Sequence, residues 1–330
     1  MMFRKLVLGA ATLAFAVVAF GAFVRLSDAG LGCPDWPGCY GHIAVPQNAE
    51  ARGLAQLKFP DKPFDDAKAW IEMIHRYLAG MLGLLILGIA VYAWRKRAEL
   101  RQSPALPLFL AGLVVLQALL GMWTVTLLLK PVAVSLHLLG GMATLALLCW
   151  LTLVQYAPPQ QVSTDKMRKI KFLGWIGLLL LALQIALGGW VSANYAALAC
   201  SGFPLCNGSW VPEMDFAQGF HFLRQLGMTA EGGPLSNPAL NAIHWMHRLG
   251  ALIVFCYLAL LAIVALRNQG LRKCGALLLV VLCVQVVLGI GNVLLSLPLA
   301  LAVAHNAVAA LLLIAVVMLN FYINMPKIQE

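Results

Sequence analysis

Eight long apolar stretches constrain the fold of this chain more than any other feature. A helix needs about 20 mainly apolar residues to cross the hydrocarbon core of a bilayer. With 62% of its residues apolar and 11% charged, the chain is too hydrophobic for an ordinary soluble domain. The sequence therefore predicts an all-α integral membrane protein with eight transmembrane helices. The stretches lie near residues 6–26, 71–93, 105–129, 132–154, 170–192, 241–266, 274–296 and 299–322.

The net charge of +10 is explained by membrane topology rather than by a nucleic-acid partner. Fourteen of the 23 lysines and arginines lie in alternate connections between the spans, namely Arg4, Lys5, Arg95, Lys96, Arg97, Arg101, Lys166, Arg168, Lys169, Lys171, Arg267, Arg272, Lys273 and Lys327. Short basic loops remain on the cytoplasmic side of a membrane. We therefore predict cytoplasmic termini, membrane lipid as the surrounding solvent, and the two long loops, 27–69 and 193–239, on the outer side.

Four features recur in the same order in the two halves of the chain. They are a cysteine pair with five intervening residues (Cys33 and Cys39; Cys200 and Cys206), a His-Arg pair (His75-Arg76; His247-Arg248), a Gln-x-x-x-Gly step (Gln117 to Gly121; Gln285 to Gly289) and a histidine entering the fourth span (His137; His305). Each half has an even number of spans, so both run in the same direction and corresponding residues share a depth. The pattern predicts two pseudo-symmetric four-helix bundles in a parallel tandem repeat, residues 1–158 and 159–330.

The repeated histidines are the strongest candidates for a functional site. Ionisable residues inside a membrane are costly and usually functional. Two imidazoles that face each other across a bundle can supply both axial ligands of a haem iron. Each histidine could instead bond a neighbouring helix, but recurrence at equivalent positions favours ligation. We predict one haem per half, held by His75 and His137 in the first and by His247 and His305 in the second.

One carboxylate distinguishes the first half from the second. A di-iron centre needs Glu-x-x-His pairs on two helices, whereas Glu72 to His75 is the only such pair within the spans. In the second half His244 stands at the corresponding place. A carboxylate beside a haem edge can donate or accept protons, so we predict chemistry in the first half and a permanent haem in the second. A salt bridge of Glu72 with Arg76 or Arg248, or solvation at the interface, is the competing interpretation.

The four repeated cysteines lie in the long loops predicted to face the oxidising side, where disulfides persist. We expect each of these short segments to be closed by a disulfide, Cys33 with Cys39 and Cys200 with Cys206, although spacing does not prove connectivity. A structural role, in which each disulfide holds its loop closed, is favoured. Participation in redox chemistry stays open for the first pair, because exposed, strained disulfides are the labile ones.

Three arginines lie near the predicted outer ends of the spans. Arg25, Arg76 and Arg248 carry guanidinium groups that could pair with haem propionates. Snorkelling of the long side chains to the membrane interface is the competing interpretation.

The motif VRLSDAGLGCPDWPGC, followed by EMIHR and the later histidines, resembles the haem A synthases over nearly the whole chain. The resemblance implies a bacterial inner-membrane enzyme that oxidises the C8 methyl group of haem O to a formyl group by successive hydroxylations, giving haem A for cytochrome c oxidase. It implies Glu72 as the catalytic carboxylate and Cys33 with Cys39 as a disulfide. It also implies haem O synthase and cytochrome oxidase assembly proteins as partners.

By the same resemblance, His75 and His137 hold the substrate haem, while His247 and His305 ligate a haem b cofactor. His244 also lies near the second site, but His247 aligns with His75 through the arginine that follows each of them. It is therefore the better candidate for the ligand.

Two other classes of protein share parts of this pattern. A di-haem cytochrome b would use the same histidines to transfer electrons without modifying either macrocycle, and the single Glu72 argues for an enzyme instead. Transporters also contain parallel repeats, but no span here is interrupted by a charged, broken segment. The sequence leaves the electron donor, the origin of the inserted oxygen and the oligomeric state open.

Overall fold

The computed structural model describes residues 1–100, 102–156, 167–229 and 231–324. Three basic residues of the predicted cytoplasmic clusters, Arg101, Lys166 and Lys327, lie outside these ranges. The predicted boundary between the halves, after residue 158, also lies outside the described residues.

Eight long helices carry the predicted spans, and all eight are long and apolar enough to cross a membrane. Shorter helices cover Ala49–Lys58, Arg97–Leu100 and Phe216–Gly219, with 3-10 turns at Ala196–Leu198 and Gln269–Leu271. The described residues form no named strand, so the predicted all-α membrane fold is confirmed. The long helices are α1 (Met2–Leu26), α2 (Asp66–Arg95), α3 (Ala105–Thr126), α4 (Pro131–Tyr156), α5 (Met167–Ala193), α6 (Asn237–Leu266), α7 (Arg272–Leu294) and α8 (Leu299–Asn324).

The boundaries of α2 and α3 differ from the predicted spans for local reasons. Helix α2 begins five residues early because the Asp65 side chain accepts a hydrogen bond from the backbone N–H of Lys68, which caps its first turn. Helix α3 ends at Thr126 because Leu128 and Leu129 adopt left-handed φ angles of 51° and 58°. The pattern of apolar residues reveals neither the cap at Asp65 nor the left-handed residues after Thr126.

Each half forms a four-membered ring of packed helices. In the first half α1 and α3 both contact α2 and α4, and in the second half α5 and α7 both contact α6 and α8. The halves meet where α4 packs on α5 and α8, and where α1 packs on α8. A continuous apolar core extends through both rings. These contacts are those that two adjacent four-helix bundles would make.

The turns of the two halves repeat at the level of the backbone. Left-handed φ angles are uncommon for residues other than glycine, yet every such residue in the described part of the chain has a counterpart 167 or 168 positions away. The recurrence supports a tandem repeat that includes turns whose side chains differ. The pairs are Asp28 with Tyr195, Tyr40 with Asn207, Leu128 with Ser296, and Leu129 with Leu297.

Residues at matching positions in or just after the last turns of α1 and α5 contact each other. The Arg25 Nη2 donates to the Ser192 carbonyl at 2.7 Å, and Ser192 is the counterpart of Arg25. Likewise the Tyr195 hydroxyl donates to Asp28 Oδ1 at 2.9 Å, while the Arg25 guanidinium lies 4.1 Å from the centre of the Tyr195 ring. The C-terminal ends of α1 and α5 therefore lie at the same end of the molecule. We call it the disulfide end, because both cysteine-containing loops start there.

Candidate functional site

A cavity of about 1710 Å³ lies between the helices and is lined by residues of both halves. Pockets for a single small molecule are usually about 300–1,000 Å³, so this space is large enough for more than one such ligand. Its lining is mainly apolar and contains the histidines, the arginines and the glutamate that the sequence predicts.

The four predicted ligand histidines all line this cavity and come from alternate helices. Each follows the start of its helix by six to ten residues, which is roughly 9–15 Å at 1.5 Å per residue. The two histidines of each half stand on helices that both pack against the same neighbours. They are His75 on α2, His137 on α4, His247 on α6 and His305 on α8.

Each of these imidazoles lies against a glycine of the preceding long helix. A Cβ atom placed on any of the four glycines would come within 2.9–3.2 Å of the imidazole Cε1, closer than ordinary van der Waals contact. Close approach of two helices at glycine is a familiar packing device in membranes. Backbone packing therefore fixes where each ring lies. The pairs are Gly21 with His75, Gly121 with His137, Gly188 with His247, and Gly289 with His305.

Several ring nitrogens lack a protein partner. The Nδ1 atoms of His75, His137 and His305 are buried without a hydrogen bond, whereas Nδ1 of His247 lies 3.0 Å from Gln184 Nε2. Buried polar groups are rarely left unsatisfied, so these imidazoles are suited to a further ligand.

Glutamine side chains approach three of the imidazoles or their backbones. Gln117 donates to the His137 carbonyl at 3.0 Å, and Gln184 donates to that of His247 at 3.0 Å. Gln285 Nε2 lies 3.2 Å from His305 Nε2, so this amide must turn away if that nitrogen binds iron. Among the residues that the structure describes, no such amide approaches His75, because Val17 stands on α1 where Gln184 stands on α5.

The donor set fits an iron that is already held by a macrocycle. Within the described residues, no group of three or more His, Cys, Asp and Glu side chains could hold a bare metal ion. A haem iron needs only two axial ligands from the protein. Paired imidazoles with unsatisfied nitrogens in a large apolar cavity meet that requirement.

Glu72 is buried in the first half and also lines the cavity. Its Oε2 accepts a hydrogen bond from the Cys33 backbone N–H at 2.9 Å. Its Oε1 forms an ion pair with Arg76 Nη2 at 2.5 Å, one helical turn along α2. The salt bridge with Arg76 that the competing interpretation expects is therefore present, and the carboxylate nevertheless lies at the cavity wall.

Arg76 also fixes the loop that carries the first cysteine pair. Its Nη1 donates to the backbone carbonyls of Asp35 at 2.9 Å, Pro37 at 3.3 Å and Gly38. The structure joins Cys33 to Cys39 in a disulfide. The carboxylate, the arginine and the disulfide loop thus form one connected unit above His75.

The second half has the same arginine clamp without the carboxylate. Arg248 donates to the carbonyls of Gly202 at 3.0 Å, Leu205 at 3.1 Å and Cys200, and Cys200 is bonded to Cys206. At the place of Glu72 stands His244, which is buried and has its Nε2 3.4 Å from Arg248 Nε. Arg248 therefore faces a histidine where Arg76 faces a carboxylate.

The structure gives the three predicted propionate-binding arginines protein partners. Arg76 and Arg248 hold the disulfide loops, and Arg25 bridges α1 and α5. All three line the cavity, so contact with propionates stays a prediction. Sequence reasoning missed the loop clamps, and the recurrence of a His-Arg pair behind each CPDWPGC-like segment was the signal that could have revealed them.

The fold and the cavity define a class of protein: polytopic helical membrane proteins with paired intramembrane histidines beneath loops closed by disulfides. The model of the COX15-CtaA family, described as cytochrome oxidase assembly protein, matches residues 4–317. This chain belongs to that family.

Similarity to individual proteins extends over most of the chain. This chain is 45% identical over 309 residues to a heme A synthase of Shewanella oneidensis, and the match covers 93% of this chain and 92% of the relative. It is 29% identical over 326 residues to a heme A synthase of a Caulobacter species, covering 92% and 90%. A heme A synthase of Halalkalibacterium halodurans is 28% identical over 217 residues, covering 64% of this chain and 67% of the relative.

Proposed function

We propose that this protein is a haem A synthase, which oxidises the C8 methyl group of haem O to a formyl group by successive hydroxylations. The observation that carries the proposal is the placement of buried Glu72 in the same cavity as His75 and His137. A carboxylate beside paired imidazoles provides a proton acceptor next to a bound macrocycle. The family and the heme A synthases to which the chain is similar agree with it.

The two histidine pairs have different roles in this proposal. His75 and His137 hold the substrate haem O, and His247 and His305 ligate a haem b cofactor. The bound haem b would supply reversible one-electron transfer. The unsatisfied ring nitrogens and the four glycine contacts support ligation in both halves, and the carboxylate on one side supports the division of roles.

Glu72 is the residue that handles protons. Converting a methyl C–H bond to a C–O bond is a two-electron oxidation that requires an external electron acceptor and a source of the oxygen atom. The role proposed for Glu72 is to accept the proton that is released. The Cys33 N–H and the Arg76 guanidinium hold the carboxylate in one orientation, which favours a precisely placed base. Arg76 also joins the carboxylate to the disulfide loop.

The proposed topology places the disulfide end outside the cytoplasm of a bacterial cell. Both termini and the basic connections would then lie inside, in agreement with the distribution of Lys and Arg, and the two disulfides would face an oxidising compartment. Residues 1–158 and 159–330 would form the substrate half and the cofactor half. Haem O synthase would supply the substrate, and oxidase assembly proteins would accept the product.

The test is to extract and separate the haems after expression with a haem O synthase, in a host without its own haem A synthase. Haem A, or the alcohol on the way to it, is the expected product. A matched culture without haem O synthase should yield neither. Recovery of only haem b and unaltered haem O would contradict the proposal and favour a di-haem electron-transfer protein.

A further inference from the structure

The cavity extends further in the first half than in the second. Its lining residues correspond pairwise between the halves along most of the helices that surround it. Beyond these pairs the first half adds five apolar residues whose counterparts do not line the cavity, and the second half adds one, Ile290. The residues added by the first half are Leu26 on α1, Leu84 and Leu87 on α2, Val115 on α3 and Met142 on α4; the counterparts are Ala193, Cys256, Ala259, Cys283 and Ala310.

Two glycines open this extension. Gly80 and Gly83 line the cavity on α2, and the corresponding positions of α6 carry Leu252 and Phe255, which also line it. A Cβ atom on Gly80 would meet nothing within 4 Å, and one on Gly83 would approach only Val114 Cγ2, at 3.7 Å. The first half therefore has free space where the second half has two large side chains.

The extension reaches the outer surface of the helix bundle. Leu84 is 73% exposed and Val115 is 54% exposed, although both line the cavity. On a membrane-spanning helix such apolar surface faces lipid. We call this passage the α2–α3 groove and define it by Gly80, Gly83, Leu84, Leu87 and Val115. It begins about one to two helical turns beyond His75, since Gly80 and Gly83 follow that residue by five and eight positions.

We propose that the α2–α3 groove holds the isoprenoid tail of haem O, and that Leu252 and Phe255 exclude such a tail from the second half. This inference rests on the proposed function. Haem O carries a long hydrocarbon chain where haem b has a small vinyl group, so its site needs an apolar slot beyond the macrocycle. The groove is continuous with the space beside His75, is apolar, and opens toward lipid, from which a tailed haem can enter sideways.

The first experiment fills the groove with the side chains of the second half. The full-length protein with Gly80→Leu and Gly83→Phe is purified from cells that lack haem O and is titrated with haem O and, separately, with haem b. We expect the affinity for haem O to fall by about tenfold or more, because the tail loses its apolar contacts, while the affinity for haem b changes by less than about twofold. The change in the haem absorbance band measures both affinities.

A matched control is available on the same helix. A Cβ atom on Gly88 also meets nothing within 4 Å, but Gly88 does not line the cavity, so Gly88→Leu should bind haem O like the unaltered protein. The reverse change, Leu252→Gly with Phe255→Gly, should allow the second half to retain haem O, which extraction and chromatography would detect.

Two results would overturn the inference. Undiminished binding of haem O by the filled groove would place the tail elsewhere. An equal loss of haem O and haem b would mean that the substitutions distort the macrocycle site rather than remove a tail contact. Failure of the proposed function is distinguishable, because it would appear as absent conversion of haem O by the unaltered protein, whatever the groove variants bind.

Discussion

The two halves of this protein share a scaffold and differ at the few positions where chemistry would occur. Both place two imidazoles against glycines, and both use an arginine to clamp a disulfide loop. Only the first half completes that clamp with a buried carboxylate, Glu72, where the second half has His244. The shared part is what a haem site needs, and the difference marks the half in which a reaction is proposed.

The difference in shape runs parallel to the difference in charge. Where Gly80 and Gly83 leave the first half open to lipid, the second half carries the large side chains of Leu252 and Phe255 at the cavity wall. A site that exchanges its occupant at every turnover requires an entrance, and a site that keeps its occupant does not. Carboxylate and entrance occur together in the same half, which strengthens the proposed division into substrate and cofactor sites.

Removal of a ligand histidine should have the largest effect and should affect the halves differently. His75→Ala or His137→Ala should abolish haem A formation while the haem b content stays near that of the unaltered protein. His247→Ala or His305→Ala should remove haem b. Haem extraction combined with reduced-minus-oxidised spectra measures both. Loss of the same haem in all four variants would contradict the assignment of a different haem to each half.

Replacement of the carboxylate should separate catalysis from binding. Glu72→Gln keeps the size of the side chain but removes its basicity, so haem A formation should fall by about 100-fold or more with haem O still bound. His244→Gln is the matched change in the second half and should alter turnover by less than about threefold, since general base chemistry is not assigned there. Equal effects of the two substitutions would contradict the assignment of chemistry to the first half.

Loss of each clamp arginine should destabilise the halves unequally. Arg76→Ala leaves Glu72 as a buried charge without its partner, at a cost of about 3–5 kcal/mol. Arg248→Ala leaves backbone carbonyls and the His244 imidazole without this donor but leaves no buried charge, at a cost of about 1–3 kcal/mol. Thermal unfolding of the detergent-purified protein would rank them. A second variant, Arg76→Ala with Glu72→Gln, should recover part of the loss, and absence of recovery would show that the ion pair does not explain it.

The glycine contacts should affect haem ligation more modestly and in both halves. Gly121→Ala forces the His137 ring to move, because the new Cβ would lie 3.2 Å from Cε1, and overpacking of this kind costs about 1–3 kcal/mol. The ligation spectrum of the first haem should shift and its occupancy fall. Gly112→Ala on the same helix meets nothing within 4 Å and should leave the spectrum unchanged. Identical spectra of the two variants would refute the positioning role.

The smallest effect is expected where the halves join. Burial raises the pKa of the Tyr195 phenol above its usual value near 10, so the hydroxyl keeps its proton and donates to Asp28 throughout the neutral range. Tyr195→Phe removes this hydrogen bond from a half-exposed position and should cost no more than about 1 kcal/mol. Thermal unfolding at pH 6 and pH 8 should give the same difference, and a difference that grows between these values would point to another titrating group.

Much of the fold could be predicted because lipid imposes a simple rule on the sequence. The eight spans follow from apolar length alone, and the repeat is visible in the cysteine pairs and in the His-Arg pairs. The ends of α2 and α3 could not be predicted in the same way. They depend on a side-chain cap at Asp65 and on left-handed residues after Thr126.

The site was predictable in its residues and not in its connections. The histidines and Glu72 are unusual residue types for a membrane span, which marks them in a single sequence. Three features depend on which sides of neighbouring helices pack together. They are the glycine beneath each ring, the arginine clamps and the α2–α3 groove. Composition carries no such information. A comparison of Gly80 and Gly83 with Leu252 and Phe255 across the repeat would have pointed to the groove.

The contacts between Arg25 and Ser192, and between Asp28 and Tyr195, have a meaning for how such a molecule can arise. Residues near the axis of a two-fold homodimer contact their own counterparts in the partner copy, so a four-helix ancestor could have formed this junction from two identical copies. In such a dimer every substitution appears twice. Fusion into one polypeptide is what permits a carboxylate and an open flank on one side only.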